Sequence, residues 1–159
     1  MKPLSLKLRA ISLLSQREHS LTELRRKLMR IATQRDAASD GELDAAAAST
    51  EVENLLLWLQ EQGYLSESRF IESRINARSP RYGSLRIKQE LAQHGLGLSA
   101  ENQQLLKDSE LERARAIWQR KFAGQQPEDL AARAKQTRFM LARGFPFDVI
   151  QRLLRAQSD

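Results

Sequence analysis

One helical phrase occurs twice in this chain and is echoed a third time, and that repetition limits the architectures open to it. Ser20-Leu-Thr-Glu-Leu-Arg-Arg-Lys-Leu28 matches Gly83-Ser-Leu-Arg-Ile-Lys-Gln-Glu-Leu91. A helix opener leads each copy, Leu24 corresponds to Ile87, and Leu28 corresponds to Leu91. Basic residues lie in or beside the gap between these apolar pairs: Arg25, Arg26 and Lys27 in the first copy, Arg86 and Lys88 in the second. Met140-Leu-Ala-Arg-Gly144 echoes Leu91-Ala-Gln-His-Gly95. Recurrence at roughly 50–60 residues predicts stacked supersecondary units. Such units build a surface more readily than a single catalytic cleft.

The pattern is helical almost throughout. Valine occurs only at 52 and 149, and no stretch alternates apolar and polar residues as a half-buried strand must. A first helix is expected over residues 4–16 with Leu8, Ile11 and Leu14 inward. Ser20-x-x-Glu23 reads as a capping box opening a second helix that buries Leu21, Leu24, Leu28 and Ile31. Residues 32–50 lack an apolar stripe and read as a flexible insertion. Thr50-x-x-Glu53 then opens a helix ending at Gly63, and further helices are expected over 66–78 and from Gly83 to Gly95. Ser79-Pro-Arg-Tyr-Gly83 forms the loop between those two, because Pro80 disfavours helix at the residue before it. A short helix over 99–107 and one opened by a capping box at Ser109-x-x-Glu112 follow. Pro127 and Pro146 mark first turns of the last two, over 127–143 and 146–156. The sum is nine helices in three sets of three: 1–62, 63–108 and 109–159. Sets this short bury little alone, so neighbouring ones are expected to dock into an elongated, curved body.

Charge is patterned as well. The net charge is +6. Residues 1–36 hold nine basic and three acidic residues, while residues 37–73 hold one basic and eight acidic. The final block, residues 113–159, holds ten basic and four acidic. Basic blocks are candidate phosphate- or acid-binding surfaces, and they equally suit a solvated helical exterior. The candidate contact residues are Arg25, Arg26, Lys27, Arg30, Arg78, Arg81, Tyr82, Arg86 and Lys88. Arginine predominates among them, and its planar fork suits bidentate pairing with phosphate or carboxylate. Tyr82 among arginines suits nucleic-acid contact, and it suits plain loop packing equally well. Trp58 and Trp118 read as core residues.

Catalytic signals are missing. There is no cysteine, so no thiolate site or disulfide framework exists, and a reducing, cytoplasmic setting is compatible. No nucleophile lies beside a base, no glycine loop cradles phosphate, and His19 and His94 lack further ligands at metal-site spacing. Glu51/Glu53 and Glu110/Glu112 read as first-turn acids placed by the helix dipole. No cofactor, small-molecule substrate or membrane is implied. A helix-turn-helix regulator finds little support, since no recognition helix rich in Asn, Gln and Arg follows a tight turn.

Arg17-Glu-His-Ser-Leu-Thr-Glu-Leu-Arg-Arg-Lys-Leu28, Gly63-Tyr-Leu-Ser-Glu-Ser-Arg-Phe70, Arg78 through Gly95, and Arg143-Gly-Phe145 with Ile150 stand in an order that resembles the RecX family. They depart from it at Ser66-Glu-Ser68, where the family often shows acidic residues, and at the 32–50 segment. The resemblance implies an all-helical protein of tandem three-helix repeats without catalytic activity. It also implies binding within the groove of the RecA–DNA filament and modulation of recombination. A free-standing module that binds single- or double-stranded DNA without sequence preference is the alternative.

Overall fold

The computed structural model describes residues 4–38 and 44–156. Among these residues the chain forms eight helices and no strand. They are α1 (Leu6–Gln16), α2 (Leu21–Ala38), α3 (Ala45–Glu61), α4 (Glu67–Arg78), α5 (Ser84–Gln93), α6 (Ala100–Phe122), α7 (Leu130–Ala142) and α8 (Phe147–Ala156). No helix among the described residues is long and apolar enough to cross a membrane. The chain divides into two compact units, Met1–Ser73 and Arg74–Asp159, with the boundary inside α4.

In the first unit α2 packs on α1 and α3. Leu24, Leu28 and Ala32 from α2 meet Leu6 and Ala10 from α1, and Ala48, Val52, Leu56 and Leu59 from α3. These positions recur every three or four residues, as one face of a helix requires. The α1 stripe runs through Leu6 and Ala10 with Ile11, Leu13 and Leu14 flanking it, whereas Leu8 is 53% exposed. The expected inward Leu8 is therefore wrong: it lies two residues from Leu6, about 200° around a helix of 3.6 residues per turn. Ser20 does open α2, its Oγ accepting from the Glu23 N–H at 3.1 Å. His19, only 1% exposed, makes contacts through both ring nitrogens, with the Arg17 carbonyl at 3.0 Å and Lys27 Nζ at 3.0 Å. Burial pushes its pKa down, so the ring is neutral: Nδ1–H donates to the carbonyl and Nε2 accepts from the lysine.

The expected insertion is largely helix. Residues 32–38 continue α2 and residues 45–50 begin α3; of the expected loop, residues 39–43 lie outside the described residues. The starting cap of α3 is Asp44, whose carboxylate accepts from the Ala47 N–H at 3.0 Å. Thr50 sits inside the helix and donates to the Ala46 carbonyl at 3.0 Å. The alanine run of 45–48 supplies the intrinsic helix preference that an apolar-stripe reading overlooks.

In the second unit α6 packs on α5 and α8, and α7 packs on α8. Ala114, Ile117 and Trp118 of α6 meet Met140 of α7, Phe145, and Val149, Ile150, Leu153 and Leu154 of α8. Trp118 is a core residue, as the sequence implies, and its Nε1–H donates to Gln136 Oε1 at 2.8 Å. The two helices expected over 99–107 and 109–122 are one. Nothing between Leu106 and Glu112 breaks a helix, and Ser109 donates its hydroxyl to the Leu106 carbonyl instead of capping. Glu110 is accordingly not a first-turn acid but a buried residue in mid-helix. Pro127 and Pro146 fall just before α7 and α8 rather than inside them. Asp129 caps α7, accepting from the Ala132 N–H at 2.7 Å, and the Pro146 carbonyl accepts the first α8 bond from Ile150 at 3.1 Å.

The repeated phrase has a structural counterpart. Leu24 and Ile87 are buried at matching positions, as are Leu28 and Leu91. The echo is equally literal. After α5 the Leu96 N–H returns to the Leu91 carbonyl at 2.9 Å, and after α7 the Phe145 N–H returns to the Met140 carbonyl at 3.2 Å. Gly95 (φ 71°) and Gly144 (φ 94°) supply the left-handed residue that this closure needs.

Candidate nucleic-acid interface

The candidate cations of α2 divide by their partners. Arg25 grips Glu53 of α3 through Nε at 2.5 Å and Nη2 at 3.3 Å. Lys27 turns toward His19 and lies 3.6 Å from Glu23. Both therefore serve the first unit's own packing. Arg26 and Arg30 are exposed, and no carboxylate of the described residues lies within ion-pair distance of either.

The second unit concentrates charge around one loop. Arg78 pairs with Glu90 at 3.0 Å, and Arg74 reaches the same carboxylate at 3.0 Å, so Arg78 also serves the fold. Beyond it the loop runs from Ser79 to Tyr82, and all four of its carbonyls accept from arginines distant in sequence. Arg113 Nη1 donates to Ser79 at 3.0 Å and Tyr82 at 2.8 Å, Arg120 Nη2 to Pro80 at 3.1 Å, and Arg143 Nη1 to Arg81 at 3.3 Å. Arg113 is the innermost: burial pushes its pKa down and nearby Glu110 pushes it up, with burial winning.

The start of α5 is held just as closely. The Gly83 N–H donates to the Arg143 carbonyl at 2.8 Å, Ser84 N–H to Glu110 Oε1 at 2.8 Å, and Leu85 N–H to the Gly144 carbonyl at 3.0 Å. These are donors that a helix leaves orphaned at its first turn. The approach is so close that a Cβ on Gly83 would stand 2.4 Å from the Gly144 oxygen.

This scaffold fixes Tyr82, which is half-buried, with the Arg86 guanidinium 4.1 Å from its ring centroid and Arg143 5.4 Å away. Arg143 also lies 5.3 Å from the ring of Phe139, as does Lys121 Nζ. A cleft of about 540 Å³ opens on one side of Tyr82, with Arg81, Arg120, Lys121 and Arg143 as its cations. A second, of about 420 Å³, opens beside it; it shares Tyr82 with the first and is otherwise lined by Arg78, Arg86, Gln89, Glu90 and Gln93. No carboxylate of the described residues lies within ion-pair distance of Arg81, Arg86, Lys88, Arg120, Lys121 or Arg143. Such a group repels itself and is relieved by a bound anion. No group of three or more metal-ligating side chains occurs among the described residues.

Sequence reasoning brought Arg81, Tyr82 and Arg86 to this region and missed Arg113, Arg120, Lys121 and Arg143; Lys88, two residues from Arg86 and about 200° around α5, lines a separate cleft with Leu85 and Leu98. A signal for Arg113 and Arg120 existed in their seven-residue spacing, which places them on one face of α6.

Comparison with known proteins agrees with the helical reading. A family model described as RecX, third three-helix domain, matches residues 108–154. The regulatory protein RecX of Ralstonia nicotianae is 47% identical over 156 residues, covering 97% of this chain and 89% of that protein. That of Ralstonia pickettii is 44% identical over 160 residues, covering 99% and 91%. That of Pseudomonas putida strain F1 is 45% identical over 160 residues, covering 98% and 93%.

Proposed function

The chain belongs to the RecX family, and on that premise we propose that it is a non-catalytic regulator of the RecA recombinase. In this reading it is an inhibitory modulator that lies in the groove of the RecA–DNA filament. It acts in the cytoplasm, in recombination, DNA repair and the SOS response. It needs no cofactor and takes no small-molecule substrate.

The observation that carries the reading is the concentration of cations without carboxylate partners around Tyr82. A surface of that kind suits a nucleoprotein filament, where phosphates are dense and affinity accrues from contacts that need no base readout. The proposed contact residues are Arg26, Arg30, Arg81, Tyr82, Arg86 and Lys88, which no ion pair among the described residues occupies. Arg25, Lys27 and Arg78 join them as residues that shape the surface through Glu53, Glu23 and Glu90.

The test is ATP hydrolysis by RecA filaments on single-stranded DNA as this protein is titrated in. Substoichiometric protein is expected to lower turnover and shorten filaments. Unchanged turnover and length defeat the reading. Charge reversal at Arg26, Arg86 and Lys88 is expected to abolish the effect in a folded protein. Arg25 is left intact because a glutamate there would face Glu53. The same cations also support a second reading, a DNA-binding module acting without RecA; salt-dependent DNA binding with no effect on filaments decides for it.

A further inference from the structure

Tyr82 stands as a shared wall between the two basic clefts of the second unit, and this placement says more than net charge does. On one side lie Arg81, Arg120, Lys121 and Arg143; on the other lie Arg86, Gln89 and Gln93 together with Glu90, whose carboxylate is already engaged by Arg74 and Arg78. A compact anion would fill one cleft and leave the other empty. A linear polyanion can occupy both. We infer that Tyr82 is a ridge over which one strand of nucleic acid passes, with a phosphate group of that strand seated in each cleft.

The chemistry of the lining supports phosphodiester as the ligand. The cations are mostly arginines, and two of them lie against aromatic rings, Arg86 over Tyr82 and Arg143 beside Tyr82 and Phe139. Stacking uses the guanidinium face and leaves N–H groups at its edge for oxygen acceptors. An aromatic ring between phosphate sites is the arrangement that lets a neighbouring base pack without being read. The strand is single, because its bases are then free to turn toward the ridge, whereas a duplex keeps them stacked inside. An acidic protein segment would use the same cations but gains nothing from the aromatic ridge. The inference rests on the reading that nucleic acid is a partner of this chain, and it does not require RecA.

The experiment is fluorescence anisotropy of a labelled oligothymidine strand with the full chain, across a salt series and without RecA. Lys121→Glu and Arg86→Gln each remove a cation from a different cleft. Lys121 is exposed, and Arg86 keeps the Cβ that Gly144 touches. Each is expected to lower the slope of log affinity against log salt by about 0.7 or more, and the pair to lower it additively, since each phosphate neutralised on a single strand contributes about that much. Tyr82→Leu keeps the bulk of the ridge and is expected to weaken binding about tenfold with the slope unchanged. Unpaired Lys121→Glu and Arg86→Gln proteins with native circular dichroism and wild-type slopes overturn the inference. So does displacement of the strand by polyglutamate, or by duplex of equal length, as efficiently as by unlabelled oligothymidine. Filament ATP hydrolysis in the same variants separates the two conclusions. Wild-type slopes with normal filament inhibition sink the ridge and leave the regulator, whereas altered slopes in a protein that never affects filaments do the reverse.

Discussion

Gly83→Ala is a substitution that local conformation permits and tertiary structure forbids. The residue has φ −81° and ψ 171°, extended backbone that alanine adopts freely. On that ground alone the change would stabilise by about 0.4–1 kcal/mol, through the unfolded chain. The added Cβ, however, would stand 2.4 Å from the Gly144 oxygen, 2.5 Å from its carbonyl carbon and 2.6 Å from the Phe145 nitrogen. All three are backbone atoms that cannot rotate aside. Restoring ordinary contact requires the α5 start and the 143–145 segment to separate by about 1 Å, which carries a hydrogen bond beyond its useful range. The bonds at risk are Gly83 N–H to Arg143, Leu85 N–H to Gly144 and Ser84 N–H to Glu110. With each orphaned buried donor costing about 1–3 kcal/mol, the expected loss is about 3–5 kcal/mol, a large share of a domain's whole stability. Urea unfolding followed by Trp118 fluorescence in a Trp58→Phe background reads this unit alone. Gly97→Ala is the control, because its Cβ meets nothing within 4 Å, and it should change stability by less than about 0.5 kcal/mol. A Gly83→Ala protein within about 1 kcal/mol of its parent would refute the reasoning.

Three further outcomes are expected. Burial pushes the Glu23 carboxyl up, but the Arg17 hydrogen bond and the Arg17 and Lys27 charges outweigh it and hold it at about 2. The lowered value stabilises the fold above pH 4.5, and the benefit is lost as pH falls from there toward 2. Because the Arg17 side chain is 46% exposed, Glu23→Gln should cost about 1–2 kcal/mol at pH 7, a gap to wild type that closes in acid-titrated unfolding. Arg113→Met should lose about 2–3 kcal/mol, since the Ser79 and Tyr82 carbonyls each lose a charged donor; wild-type urea stability would contradict the role given to Arg113. Gln136→Leu leaves the Trp118 indole N–H and the Gln125 carbonyl without their partner, and the same denaturation should show a loss of about 1–3 kcal/mol. A midpoint equal to wild type would mean that another acceptor takes up the indole.

What the sequence made legible was periodic or local. Leu24 and Leu28, and their counterparts Ile87 and Leu91, announce a buried stripe by spacing alone. Gly144 announces its turn through the resemblance of Met140–Gly144 to Leu91–Gly95. Two of the misreadings share one cause, that Ser or Thr three residues before Glu is also an ordinary helix surface. That pattern placed starts at Thr50 and Ser109, where the structure has helix interiors, and it hid the continuity of α6. The site was legible only in part. An aromatic among arginines drew attention to Tyr82, but Arg113, Arg120 and Arg143 join its loop from 31 to 62 residues away. Contacts of that range have no local signature. Ion pairing was equally hidden: nothing in the α2 phrase distinguishes Arg25, which is engaged by Glu53, from Arg26, which is not.

The four carbonyls of Ser79–Tyr82 have a consequence for speed and selectivity. An arginine on an open surface samples many rotamers, and a ligand that stops it forfeits about 0.5–1.5 kcal/mol per side chain. Arg120 and Arg143 are already tethered at one edge by the loop they hold, so folding has met much of that entropic cost in advance. Under the proposed function, a passing polyanion meets fingers that are aimed before it arrives. Its capture then depends on encounter more than on rearrangement, which favours rapid exchange along a long, repetitive target.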